Sequence, residues 1–127
     1  MLVRFWGTRG SLPTPLNHVA VRKKIHAALS AANGRDLSAP EKIDAFIDSE
    51  LSFDVAGSYG GNTSCVEIDS GSDEYVICDL GSGMREFGNN FLAAPHPGKK
   101  KIFNIFMSHV HWDHVMGFPF FVPAYIP

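Results

Sequence analysis

The sequence predicts an α/β fold, a β-sheet with flanking helices in one chain of 127 residues. Three observations predict it. Short β-rich stretches, "NTSCVEID", "EYVICDL" and "KIFNIFM", recur through the second half. Stretches with apolar residues at helical spacing lie before and between them. The length suits one domain with one core, and the apolar fraction of 45% is that of a globular protein.

The elements follow in order. Residues 1–6 alternate, Met1, Val3 and Phe5 against Leu2, Arg4 and Trp6, as a strand does. The glycines and prolines of "GTRGSLPTP" end it in an irregular loop. Residues at about 17–57 change character and read as a helical insert between the first and second strands. In its first helix Val21, Ile25, Ala28 and Leu29 recur at helical spacing, and Asn33-Gly34 stops it. The second opens with Ser38 and has Glu41 three residues later, a capping-box pattern, with Ile43, Phe46 and Ile47 as its apolar stripe. "NTSCVEID" and "EYVICDL" flank Ser70-Gly71-Ser72-Asp73 as a hairpin. With Gly71-Ser72 as its two central residues, Cys65 stands opposite Cys78. Met84, Phe87 and Phe91 predict the next helix. "KIFNIFM" is a nearly continuous apolar run, expected in the middle of a sheet covered on both faces.

Composition narrows the function. Charged residues make up 19% and the net charge is −2, so no broad cationic field calls for nucleic acid. The one dense basic run, Lys99-Lys100-Lys101, reads as a solvated turn before a strand, with phosphate binding as the alternative. No apolar stretch reads as a secretory leader or a membrane span. With two cysteines, Cys65 and Cys78, a cytoplasmic protein with free thiols is the expectation.

The chemistry-bearing stretch is "SHVHWDHVMG", residues 108–117. Histidine nitrogen and aspartate oxygen are the ligands that zinc and similar divalent ions take. In an extended turn His109 and His111 point to the same side and grip one ion. Asp113 and His114 follow where the chain turns into a helix, placed to face a second ion. Two adjacent cations can hold a hydroxide and clamp a scissile phosphate or carbonyl. A chance histidine cluster on a loop is the alternative. His18 and His26 read as surface or half-buried helix residues, and His96 as a loop residue with no partner.

"HVHWDH" after "KIFNIFMS" resembles the signature of the metallo-β-lactamase superfamily. "CDLGSG", with Asp79 and Gly81, is similar to the family's strand-end Asp-x-Gly. "FWGTRGSLPTP", "YGGNTSCVEI" and "SHVHWDHVMGFPFFVPAY" resemble its phosphodiesterase-like branch, which includes tRNA 3′-end processing endonucleases and cyclic-phosphate phosphodiesterases. The resemblance spans nearly the whole chain outside the insert. It implies an αββα sandwich of two mixed sheets with helices outside. It also implies two divalent ions, zinc first, with manganese or iron as alternatives. His109 and His111 would bind the first ion, and Asp113 and His114 the second. Asp113 would also orient or deprotonate the attacking water. Asp79 would steady the metal loop through hydrogen bonds, and its alternative is an ordinary turn aspartate. Asn62, Thr63 and Ser64 either line the substrate cleft or begin a strand. Trp112 is expected to pack against the sheet, with substrate stacking as the alternative.

Members of the family carry further ligands downstream, and residues 1–127 contain none of them. What stands here resembles the N-terminal half of the fold, so the chain is expected to be either a fragment of a longer enzyme or a natural half-domain. The leading function is hydrolysis of a phosphodiester, in a small molecule or a nucleotide, by water activated between two metals. One alternative is a non-catalytic half-domain that binds metal weakly or acts as an interaction module. The other is a β-lactam or thioester substrate. With two ligands per metal, affinity should be weak. The tail "GFPFFVPAYIP" is expected to add Phe118, Phe120, Phe121, Val122, Tyr125 and Ile126 to an exposed apolar surface, and self-association should follow.

Overall fold

A computed structural model describes residues 1–94 and 96–126. In chain order the elements are β1 (Leu2–Gly7), α1 (His18–Ala31), α2 (Pro40–Glu50), α3 (Phe53–Ala56), β2 (Cys65–Asp69), β3 (Tyr75–Cys78), α4 (Gly83–Ala93), β4 (Phe103–Phe106) and α5 (Trp112–Val115). Two 3₁₀ turns follow, Phe118–Phe120 and Val122–Tyr125. The chain divides into two compact units: Met1–Pro15 with Tyr59–Pro127, and Leu16–Ser58. No helix among the described residues is long and apolar enough to cross a membrane.

The first unit is α/β, built on a mixed sheet in the order β1-β2-β3-β4. β1 with β2 and β2 with β3 run antiparallel; β3 and β4 run parallel, with α4 as the crossover between them. Strand alternation puts Cys65, Tyr75 and Ile77 on one face. α4 lays Met84, Phe87 and Phe91 onto that face, the residues whose spacing predicts the helix. Their packing is aromatic. Phe87 stacks on Phe121 at 5.7 Å, and Tyr75 meets Phe91 edge-on at 5.4 Å. The opposite face of the sheet is open: Phe5 is 66% and Phe106 61% exposed.

Several expectations need correction here. The hairpin register is shifted by one residue: Val66 pairs with Cys78 and Glu67 with Ile77. The connection is Ser70–Glu74, not a two-residue turn. Asp69 accepts from the Gly71 N–H, and the Ser72 hydroxyl donates to the Glu74 carbonyl. A one-residue slip moves side chains to the other face, so Cys65 is buried in the core while Cys78 is half-buried on the far side, and both are free thiols. β4 is an edge strand rather than a central one. Among the described residues it pairs only with β3, and Phe103 and Ile105 reach the core while Phe106 does not. Phe121 is 2% exposed, because the 3₁₀ turns fold back along α4; the other five tail residues named above are exposed.

Two basic groups have structural partners. Lys99 is not solvated: its Nζ donates to Asp69 Oδ1 at 3.1 Å and lies 5.1 Å from the Tyr75 ring centroid. Lys100 pairs with Asp73 at 2.6 Å. His96 has partners after all, its Nε2 lying 3.8 Å from the buried Glu67 carboxylate and its ring 6.1 Å from that of Tyr75. Trp6 Nε1 donates to the other oxygen of Glu67 at 3.2 Å.

The second unit is helical. Asn17 caps α1 by accepting from the Ala20 N–H, and Gly34, at φ +77°, turns the chain beyond its end. α1 packs against α3, tied by Lys24 Nζ, which donates to the carbonyls of Asp54 and Gly57. The capping box at Ser38 does not form. Pro40 begins α2, so Ala39 takes the cap position, and the Ser38 N–H donates to Asp36 Oδ1 in a local turn.

Candidate functional site

The histidine cluster sits at the C-terminal ends of the parallel strands β3 and β4. In open α/β sheets that is the end where ligands bind. β4 delivers Met107, Ser108 and His109, while β3 ends in Cys78 and turns at Asp79-Leu80-Gly81. The Asp79 N–H continues the parallel ladder to the Phe106 carbonyl at 3.0 Å. The Leu80 N–H donates to the His114 carbonyl at 2.8 Å, and the Gly117 N–H to the Leu80 carbonyl at 2.8 Å. The turn after β3 therefore grips the C-terminal end of α5. Only glycine allows this approach, since a Cβ on Gly81 would lie 2.5 Å from the carbonyl oxygens of Asp113 and Ser64.

Asp79 is the hub. Its φ of +63° is the left-handed region, which aspartate tolerates better than most residues. Oδ1 accepts from the Ser108 N–H and hydroxyl, both at 2.8 Å; Oδ2 accepts from the Ser64 hydroxyl at 2.9 Å and lies 2.8 Å from His114 Nδ1. Burial pushes the Asp79 carboxyl up, but the bonds from Ser108, His114 and Ser64 together outweigh it and hold it below the usual carboxylate range.

His114 extends the chain of contacts. With Nδ1 on Asp79, its Nε2 faces Asp113 Oδ2 at 3.3 Å. Asp113 is buried at the start of α5, and its Oδ2 accepts from the Ser11 N–H at 2.9 Å. That bond is the first cause of its lowered pKa; burial opposes it, and the nearby His114 and His109 add to the lowering. The three imidazoles gather round His109: its ring centroid is 4.5 Å from that of His111 and 4.0 Å from that of His114. Among the described residues, no three His, Cys, Asp or Glu side chains form a group that could hold one metal ion.

The other expected positions are placed differently. Thr63 is fully buried and exchanges two hydrogen bonds with Ser82, through its N–H to the Ser82 oxygen and its own oxygen from the Ser82 N–H. Ser64 is committed to Asp79. Asn62 lines a cleft with Ser82, Arg85, Glu86, Met116 and Phe120. At about 170 Å³ it is smaller than a typical ligand pocket. Trp112 does not pack on the sheet: it is 69% exposed at the first position of α5. His96 sits beside Glu67, and His18 and His26 belong to the helical unit.

Two participants escape sequence reasoning. Ser108 is adjacent to the histidines, so its place was a readable signal. Ser11 is 102 residues from Asp113 and acts through its backbone N–H at φ +64°, which no side-chain pattern announces. Comparison with protein families, with curated proteins and with solved structures returns no match.

Proposed function

We propose that this chain is the N-terminal half of a metallo-β-lactamase-like αββα fold and that its site serves metal-dependent hydrolysis of a phosphodiester. The observation that carries the reading is the relay Asp79–His114–Asp113 with His109 and His111 beside it, at the C-terminal ends of two parallel strands. A histidine that ligates metal through one ring nitrogen typically gives the other to a carboxylate, which fixes its tautomer and angle. His114 is held that way by Asp79, leaving Nε2 on the side of Asp113. The donor set of imidazole and carboxylate suits zinc, manganese or iron. His109, His111, Asp113 and His114 are the residues that would hold two such ions.

Bound there, the ions would supply Lewis acidity and an acidified water. The chain's own residues do the rest. Asp113 is kept ionised by the Ser11 N–H, as needed for accepting a proton from water and orienting it. Asp79 and Ser108 keep the loop from spreading. Phosphodiesters are favoured over β-lactams and thioesters by the resemblance of the loops at residues 5–15 and 59–68.

The test is hydrolysis of bis(p-nitrophenyl) phosphate by the protein expressed from its natural gene, with zinc or manganese added. Wild type should turn over, and Asp113→Ala should lose on the order of 10²-fold or more in kcat. Near-normal turnover by the variant refutes the assignment. Cleavage of nitrocefin or a thioester instead, with the diester untouched, would keep the site and change the substrate.

A further inference from the structure

We infer that the helical unit Leu16–Ser58 is a homodimerisation element, in which α1 of one protomer docks on α2 of its partner and the reverse contact forms by two-fold symmetry. α1 carries an apolar stripe at i, i+4 and i+8: Val21 is 41%, Ile25 54% and Leu29 69% exposed. α2 carries a shorter one, with Ile43 41% and Ile47 39% exposed. Stripes of this spacing lie on one side of a helix, and such sides are normally buried. α1 buries none of its own residues, and α2 only Phe46.

Charge selects the occupant. α1 holds Arg22, Lys23 and Lys24 and no carboxylate; α2 holds Glu41, Asp44, Asp48 and Glu50 against the single Lys42. The positions matter more than the totals. Arg22 and His26 each follow a stripe residue of α1 by one place, and Asp44 and Asp48 each follow a stripe residue of α2 by one place. At 100° per residue they flank the two stripes on the same side. None of Arg22, Asp44 and Asp48 makes an ion pair among the described residues, whereas Lys24, Lys42 and Glu50 are already engaged. A basic-flanked stripe and an acidic-flanked stripe on one chain are complementary to each other in a second copy. An isologous contact uses both twice. Like charges would repel in the α1–α1 and α2–α2 alternatives, which sets the pairing.

Light scattering coupled to size exclusion on the full 127-residue chain tests this. Wild type should run as a dimer, with dissociation promoted by salt. Ile25→Glu, at an exposed position, should give a folded monomer by circular dichroism. Arg22→Glu should weaken the dimer about tenfold or more, and Arg22→Glu with Asp44→Arg should restore it. Phe5→Ser and Phe106→Ser, on the open sheet face, should leave the dimer intact. A wild-type monomer overturns the proposal. So does association that survives Ile25→Glu, or one that the two sheet-face variants abolish.

Discussion

Replacing Asp79 by alanine should unfold the site before it touches any other element. The carboxylate receives four donors: the Ser108 N–H and hydroxyl, the Ser64 hydroxyl and His114 Nδ1. The hydroxyls can rotate to water at small cost. The Ser108 N–H and the imidazole N–H are fixed in direction and lose an ionised acceptor. Hydrogen bonds to charged groups contribute about 1.5–3 kcal/mol each, so two of them give a loss of about 3–6 kcal/mol. Alanine also inherits φ +63°, adding on the order of 1 kcal/mol. Asp79→Asn keeps the backbone tolerance and one acceptor oxygen, so it should lose roughly half as much. Urea unfolding followed by circular dichroism measures both. A loss under about 1 kcal/mol for Asp79→Ala would refute the hub role, because two stranded donors cannot cost so little.

Other sites give independent checks. Gly81→Ala forces a Cβ against two carbonyl oxygens and should destabilise by on the order of 1–3 kcal/mol; a stability equal to wild type would mean that the turn after β3 is not closely packed. Phe121→Ala removes the ring stacked on Phe87 and should cost about 3–5 kcal/mol in the same urea assay. In the native protein a thiol reagent at pH 8 should modify half-buried Cys78 and spare Cys65, with two thiols titrating after denaturation. Burial, helped by the charges of Asp79, Glu67 and Cys78, pushes the Cys65 thiol up to about 12. Its folded value lies above its unfolded one, so its contribution is complete below the unfolded value and is lost as the pH rises from there toward 12. Cys65→Ala should therefore show a shallower alkaline loss of stability than wild type; equal slopes would contradict the burial argument.

The legible parts of the fold were those fixed by periodicity. Met84, Phe87 and Phe91 announce α4 because a helix must present one side to a sheet, and Val21, Ile25 and Leu29 announce α1 in the same way. Periodicity does not say what lies opposite. α1 has the pattern of a buried helix, yet its stripe is exposed, and "KIFNIFM" has the pattern of a central strand, yet it forms an edge. The hairpin register failed for a smaller reason: Asp69 and Ser72 close a five-residue connection through side-chain bonds, and one residue decides which face Cys65 occupies. At the site, His109, His111, Asp113 and His114 were readable because they share six positions of chain. The partnership of Asp79 with His114 spans 35 residues, and that of Ser11 with Asp113 spans 102. The resemblance at Asp79-Leu80-Gly81 points to Asp79 as a support of the loop, whereas the Ser11 contact comes from strand order, which no local pattern encodes.

The most direct test of the central claim is a zinc titration of the chelator-stripped chain, followed by NMR of its imidazole resonances. His109, His111 and His114 should shift together, while His18, His26 and His96 stay put. Asp79→Asn should weaken the response by about 10-fold or more through the lost support of His114. Cluster resonances that remain unmoved at millimolar zinc, or that move no more than those of His18 and His26, would contradict it.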